Sequence, residues 1–403
     1  MEPSQTYALK LYDEQLAWFS FQKTMTGFRA RGLEVNTERA NLLPLNMRSS
    51  PTDAELARFL ASRRIPKGRT FLEEVLRPYG LAPTDTKGII DLSRGASVND
   101  AYSIVPADDD IPYAEYNLFD NDFDEVLQVI AYTGVIPDAV VGMGRPSDLT
   151  PSGTFPKTWR KLDGELVLFK AGSAVAAPNY GREPYSEQLA WQVARAGGFD
   201  AVAYELTQWQ GRVCSTCPLF NTPDIAFVPF ELCLPADITQ LLDFELALSY
   251  FEDISAKAAQ KFRSLAVFDS IIANTDRHLG NFGVLRDNST GRIIDAAPIF
   301  DNNASLFTRD FDSWLTLDAM LERVEHGPGI LDATLGWQGL AMADDVQLAQ
   351  VARLADFEFD CAGFLQQRWA ACPDSTQSIS PERLAALGRF VRARAQAILR
   401  GRA

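Results

Sequence analysis

The chain has 403 residues, 46% hydrophobic and 23% charged, a balance ordinary for a globular protein with a real core. Its length predicts two or three domains, or one two-lobed unit with an added domain. A formal net charge of −15 gives no general pull on phosphate backbones, so nucleic acid is not the expected main partner. The five cysteines (Cys214, Cys217, Cys233, Cys361 and Cys372) form an odd set that speaks against a disulfide framework. With no leader-like start and no run near the roughly 20 apolar residues of a membrane span, a cytoplasmic protein is expected.

YALKLYD and LAWFSF flank a polar turn at Asp13-Glu14-Gln15 and predict a β-hairpin. DAELARFLASRR predicts a helix with Leu56, Phe59 and Leu60 on one face, and the basic residues Arg63, Arg64, Lys67 and Arg69 read as its solvated end. In TFLEEVLRPYG, Thr70 and Glu73 have capping-box spacing and Gly80 sits near the stop. Residues 80–120 read as loop-rich and acidic. Asp120, Asp122 and Asp124 begin like a calcium loop, but Glu125 stands where such a loop needs glycine. The expectation there is an exposed loop that caps the helix DEVLQVIAYTG, which stops at Gly134.

GMGRPSDLTPSG is linker-like and places a boundary at 140–150. Beyond it, TWRKLDGELVLFK predicts a hairpin around Asp163-Gly164, PYSEQLAWQVARAGG a helix, and AVAYELTQW and IAFVPFEL strands. From about 237 onward helices are expected in ITQLLDFELALSYF, SAKAAQKFRSLAVFDSIIAN, FDSWLTLDAMLERV, QLAQVARLADFEFDCAGFLQQRW and PERLAALGRFVRARAQAIL. The aromatic residues Phe357, Phe359, Phe364 and Trp369 read as core at helical spacing. A small sheet with one helix followed by a helical half makes the fold class α+β.

The chemistry concentrates in NTDRHLGNFG. Asp276 and Asn281 have the D-x-x-x-x-N interval of the kinase catalytic loop, where the acid positions the attacking hydroxyl and the amide oxygen serves Mg²⁺. Asp301, in APIFDNNASL, is placed as the second metal-binding acid. Lys170 ends the strand VLFK, where a phosphate-binding lysine would sit. Glu187 on the next helix is its expected partner, with Glu183 and Glu205 as competitors. Backbone groups of Phe230, Glu231 and Leu232 would meet adenine. Cys214 and Cys217 form one C-x-x-C without a second pair, so buried or surface thiols are expected rather than zinc. GMGRPS is half a dinucleotide fingerprint broken by Pro146, no Walker loop exists, and neither His278 nor His326 has a G-x-S-x-G partner.

NTDRHLGNFG and the later FDN together resemble the HipA-like serine/threonine kinases, which are bacterial and often the toxin of a toxin–antitoxin pair. PSGTFPK, at 151–157, is similar to that family's S-G-x-x-P-K loop over the nucleotide phosphates, and LYDEQLAWFSF to the start of its N-terminal subdomain. The resemblance implies a two-lobed, protein-kinase-like α+β fold with a small β-rich N-terminal subdomain (1–145), an N-lobe (146–234) and a mainly helical C-lobe (235–403). It implies ATP and Mg²⁺ as cofactors, a protein substrate and an antitoxin partner; the acidic charge and the lack of an apolar span or a basic amphipathic helix make direct nucleic-acid or membrane contact unexpected. By the same resemblance Asp276 is the catalytic acid/base and Asn281 and Asp301 are the metal ligands. Lys170, Glu187, Ser152, Gly153 and Lys157 face ATP, with Ser152 on the autophosphorylated serine. His278 is then packed behind the loop, orienting backbone or metal-ligand groups. D-R-H-x-x-N also resembles phosphoinositide kinases, so a lipid or small-molecule kinase is one alternative and a nucleotide-binding pseudokinase another. The absence of a basic amphipathic helix argues against the first, and the filled metal and lysine positions against the second.

Overall fold

The computed structural model describes residues 5–25, 27–66, 68–136, 153–173, 180–239, 243–326, 343–360 and 379–401. Its strands are β1 (Thr6–Leu11), β2 (Glu14–Thr24), β3 (Gly27–Val35), β4 (Tyr102–Pro106), β5 (Lys157–Leu162), β6 (Glu165–Ala171), β7 (Glu205–Trp209), β8 (Arg212–Pro218), β9 (Ile225–Pro229), β10 (Gly283–Asp287) and β11 (Ile293–Ala296). The chain forms two compact units. The first comprises Met1–Leu168, Leu219–Leu241 and Gly283–Ile294; the second comprises Phe169–Pro218, Leu242–Phe282 and Asp295–Ala403. The expected boundary at 140–150 and Ser152 lie outside the described residues.

In the first unit, β1 to β4 form a sheet of order β3-β2-β1-β4. The N-terminal hairpin turns earlier than expected. Leu11 pairs with Glu14 and Lys10 with Gln15, so Tyr12 and Asp13 make the bend, Tyr12 at φ +52°. The stretch read as loop contains the helix Thr86–Ser93 and β4, which pairs with β1 from Tyr7↔Pro106 to Leu11↔Tyr102. Because Tyr102 to Val105 are all buried, β4 carries no alternating pattern to betray it. As expected, Leu56, Phe59 and Leu60 of the helix Asp53–Ala61 are buried, and Asp124 caps the helix Glu125–Thr133, which Gly134 closes at φ +74°.

Two expectations for this unit fail. Thr70 does not cap the helix Leu72–Leu76; its hydroxyl donates to the Thr154 carbonyl at 2.7 Å, and Phe71 takes the cap position at φ +65°. Nor is Arg63 solvated. Its guanidinium is buried, grips Asp100 through two bonds of 2.9 and 2.6 Å, and lies 4.2 Å from the centre of the Phe59 ring. Arg69 is buried as well and donates to the Lys157 carbonyl. An acid 37 residues later gives the buried cation its ion-pair partner.

The hairpin after β5 turns through Asp163 at φ +51° and Gly164 at φ +87°, the paired positive angles that Asp-Gly favours. β9, β10 and β11 form a second sheet. Gly283 faces Pro229 there, and a β-carbon on it would overlap the Val228 carbonyl, so only glycine fits.

The second unit contains the end of β6 beside β8 and β7. The sequence reading missed β8. Cys214 and Cys217, three apart on that strand, point to opposite faces and are both buried. Around this edge stand the helices Glu183–Gly197, Phe244–Ile254, Ala256–Ile272, Leu317–His326, Asp345–Ala352 and Pro381–Arg400. The first long expected helix is shorter, because Asp243 starts Phe244–Ile254 by accepting the Leu246 N–H at 2.8 Å. Phe357 and Phe359 follow the helix Asp345–Ala352 in non-helical chain, edge to face at 4.8 Å; Phe364 and Trp369 are outside the described residues. Phe251 and Phe262 stack at 4.6 Å at the core, and the helix Ala256–Ile272 is buried on all sides from Ser264 to its end. Among the described residues no helix is long and apolar enough to cross a membrane.

Removing one partner of a buried ion pair strands the other charge. Arg63→Ala is therefore expected to lower unfolding stability by about 3–5 kcal/mol, read from urea denaturation, whereas Arg64→Ala, at a half-buried site, costs far less.

Candidate active site

The helix Ala256–Ile272 delivers the D-R-H-x-x-N loop. It ends at Ala273, whose left-handed backbone (φ +52°) returns its N–H to the Asp269 carbonyl. Asn274 is fully buried. Its side-chain N–H donates to Asp269 Oδ1 at 3.0 Å and its Oδ1 accepts the Asp276 N–H at 3.1 Å. Arg277 then does what no sequence signal assigned to it. Buried, it donates from Nε and Nη2 to the two Asp269 oxygens (2.8 and 3.0 Å). Nη1 reaches the carbonyls of Asn281 (2.7 Å) and Phe300 (2.5 Å), and Nη2 the Asn302 Oδ1 (2.7 Å). One side chain thus ties together the helix end, the Asp276 loop and the Asp301 loop.

Lys170 Nζ lies 2.8 Å from Glu187 Oε1 and 2.5 Å from Asp301 Oδ1. Neither competitor takes Glu187's place: Glu183 Oε2 accepts the Ser173 N–H at 3.1 Å, and Glu205 is exposed on β7. The other Glu187 oxygen accepts the Asn302 N–H at 2.7 Å. Burial alone would lower the lysine, but the Asp301 and Glu187 carboxylates outweigh it and hold the ammonium above its ordinary range. Burial pushes Glu187 up, with Asp301 adding to the rise, because two carboxylates share one ammonium.

Asp301 is in the left-handed region at φ +54°. Its N–H donates to the Tyr204 hydroxyl at 3.1 Å, and Asn303 donates to its Oδ1. Ser186, on the helix that carries Glu187, is within 3.0 Å of both the Asn302 and Ser305 carbonyls and braces the same loop. Burial first, then the surrounding carboxylates, raises the Tyr204 hydroxyl well above its ordinary value, so it stays neutral.

Asp276 is exposed at the surface of this cluster. Partial loss of hydration raises its pKa and Asp301 adds to the rise, while His278, Lys170 and Arg309 pull it back. Asn281 donates to the Asp276 carbonyl at 2.9 Å, and its Oδ1 is buried with no hydrogen-bond partner. His278 is exposed rather than packed behind the loop. Its Nδ1 accepts the Gly280 N–H at 3.0 Å, so it does orient backbone, while Arg277 fills the buried place behind.

The other expected residues belong to the first unit. Gly153 is at φ +89°, where a β-carbon would come within 2.7 Å of the Lys157 ammonium; Lys157 is buried at the start of β5. Phe230, Glu231 and Leu232 form a 3-10 turn after β9, in which the Phe230 carbonyl accepts from Cys233 N–H and the Glu231 carbonyl from Arg58.

Among the described residues no three His, Cys, Asp or Glu side chains converge to hold a metal by themselves. A magnesium ion bound with phosphates needs only one or two protein carboxylates. The orphaned Asn281 oxygen and the surplus of carboxylate over ammonium beside Asp301 fit such a cation.

No family model and no curated protein matches the chain. Solved structures do. A chain of the Shewanella oneidensis MR-1 toxin–antitoxin complex of HipA, HipB and operator DNA matches at 14% identity over 97% of both chains, with a TM-score of 0.55. The Helicobacter pylori proinflammatory kinase CtkA matches at 19% identity over 62% of this chain and 90% of that one, with a TM-score of 0.47. The fold is α+β, with a β-rich N-terminal subdomain and a mainly helical C-terminal lobe, in agreement with that of HipA-like kinases.

Arg277→Met is expected to cost about 3–5 kcal/mol in urea denaturation, with Arg277→Lys recovering only part because it keeps the charge and loses the fork. Asp276 carries the opposite sign. Its raised pKa means that the ionised form is disfavoured by folding, so its contribution is present below the ordinary carboxylate range and lost as pH rises through the raised value. Asp276→Asn should therefore melt higher than the parent at pH 7, and the gap should close as pH falls below the usual aspartate pKa. A lower melting point at pH 7 would contradict this.

Proposed function

We propose that the chain is an ATP- and Mg²⁺-dependent kinase that transfers the γ-phosphoryl group to a serine or threonine, on itself and on a protein target. The observation that carries it is the cluster of Lys170, Glu187, Asp301 and the partnerless Asn281 oxygen, with Asp276 within its electrostatic field. Lys170, held by Glu187, would steady the nucleotide phosphates. Asn281 and Asp301 would hold Mg²⁺, which when bound neutralises charge on the transferring phosphoryl group. Asp276 orients the acceptor hydroxyl and takes its proton as the new O–P bond forms and the bond to the β-phosphate oxygen breaks, releasing ADP. A carboxylate whose pKa is raised is better matched to that proton transfer near neutral pH.

The same proposal includes the residues of the first unit and the three-part organisation 1–145, 146–234 and 235–403. Gly153 and Lys157 would lie over the phosphates, Ser152 would be the autophosphorylated residue, and the turn Phe230–Leu232 would receive adenine. The engagement of the Phe230 and Glu231 carbonyls favours the backbone N–H groups of that turn as the adenine contacts. The Shewanella structure holds a HipB beside its HipA, and by analogy a protein antitoxin is the proposed partner here.

Thermal shift with ATP, with and without Mg²⁺, followed by mass spectrometry for phosphoserine and phosphothreonine, tests the reading. A Mg²⁺-dependent shift without any phosphorylated residue would favour a nucleotide-binding pseudokinase. Asp276→Asn should keep the shift and lower turnover by about 10²–10⁴-fold, the range for loss of a general base; near-parental activity would remove Asp276 from the mechanism.

A further inference from the structure

Asp301 has two kinds of anchor. Its carboxylate is held by Lys170 and Asn303, and its backbone N–H by the Tyr204 hydroxyl. A carboxylate that turns to a cation must give up or share its side-chain contacts. The backbone contact is untouched by that exchange, and with Arg277 on the Phe300 carbonyl and Glu187 on the Asn302 N–H it brackets Asp301, whose left-handed conformation residues other than glycine seldom adopt.

Tyr204 is built to be such a fixture. It is buried, and the chain leading to it is laced onto the chain leading to Asp301. Ile299 N–H donates to the Asp200 carbonyl at 2.8 Å, Val202 N–H to the Ile299 carbonyl at 2.9 Å, and Ala201 and Ile299 form a parallel bridge. The hydroxyl therefore sits at a set distance from the Asp301 peptide. A phenylalanine would fill the same space and leave that N–H unpaired.

We propose that Tyr204 is the positioning residue that holds Asp301 in its cation-facing conformation, through the hydrogen bond from the Asp301 N–H to its hydroxyl. This rests on the kinase reading of Asp301, and two measurements on the full chain keep the two claims apart. The first is hydrogen exchange of the segment 299–305, with no nucleotide present. Tyr204→Phe should accelerate it by about tenfold or more while the rest of the chain keeps its protection. The second is calorimetric binding of a non-hydrolysable ATP analogue with Mg²⁺ and with EDTA. Tyr204→Phe should weaken the Mg²⁺-dependent binding by about ten- to a hundredfold, the usual cost of removing a support behind a metal ligand, and leave binding in EDTA unchanged. Unchanged exchange overturns the proposal whatever the parent binds. So does an equal loss with and without Mg²⁺, which marks a general packing role, or unchanged Mg²⁺-dependent binding. A parent chain that binds no analogue overturns the kinase reading and the cation-facing role with it, while the exchange result still decides whether Tyr204 holds Asp301.

Discussion

The constraint on which the second unit depends is the burial of one arginine. A guanidinium taken out of water is costly unless all of its donors are answered, and Arg277 answers all five: two bonds to Asp269, two to main-chain carbonyls and one to Asn302. Those acceptors sit on the helix end, on the loop that follows it, and on the loop of Phe300 and Asn302 more than twenty residues on. Satisfying the arginine in this way brings the loops that carry Asp276, Asn281 and Asp301 together at the end of the helix Ala256–Ile272. A lysine, with three donors from a single point, could not specify that arrangement.

On this frame the site is electrostatically unfinished. Lys170 is shared between Glu187 and Asp301, the Asn281 oxygen is buried without a donor, and partial loss of hydration raises the Asp276 carboxyl above its ordinary range. The same unit is packed around the aromatic stack of Phe244, Phe251 and Phe262, beside helices capped at Asp243 and Ser255.

The parts of this design that were legible in the sequence are those with local chemistry. Asp163-Gly164 announced its turn, Asp124 its cap, and the interval from Asp276 to Asn281 its loop. The pairing of Lys170 with Glu187 followed from the order of strand and helix. What stayed hidden was decided by partners far along the chain. Arg63 looks like a surface charge until Asp100 is brought to it, and Arg277 looks like a neighbour of the acid until three segments converge on it. Strands β4 and β8 are short and largely buried, so neither shows the alternation that marks a half-exposed strand. Thr70 had the right spacing for a cap and a better acceptor elsewhere.

The threading of the chain through its two units bears on how the protein is made. The first unit begins at the N-terminus yet needs residues as late as Ile294, and the second has its own segments inserted between those pieces. Neither can be completed from a contiguous stretch emerging from the ribosome. β9 must wait for β10, more than fifty residues later, and β6 is left with an open edge until β8 has been translated. During those intervals the nascent chain carries unpaired strand edges, so its exposure to misassembly is set by the fold's wiring rather than by its final stability.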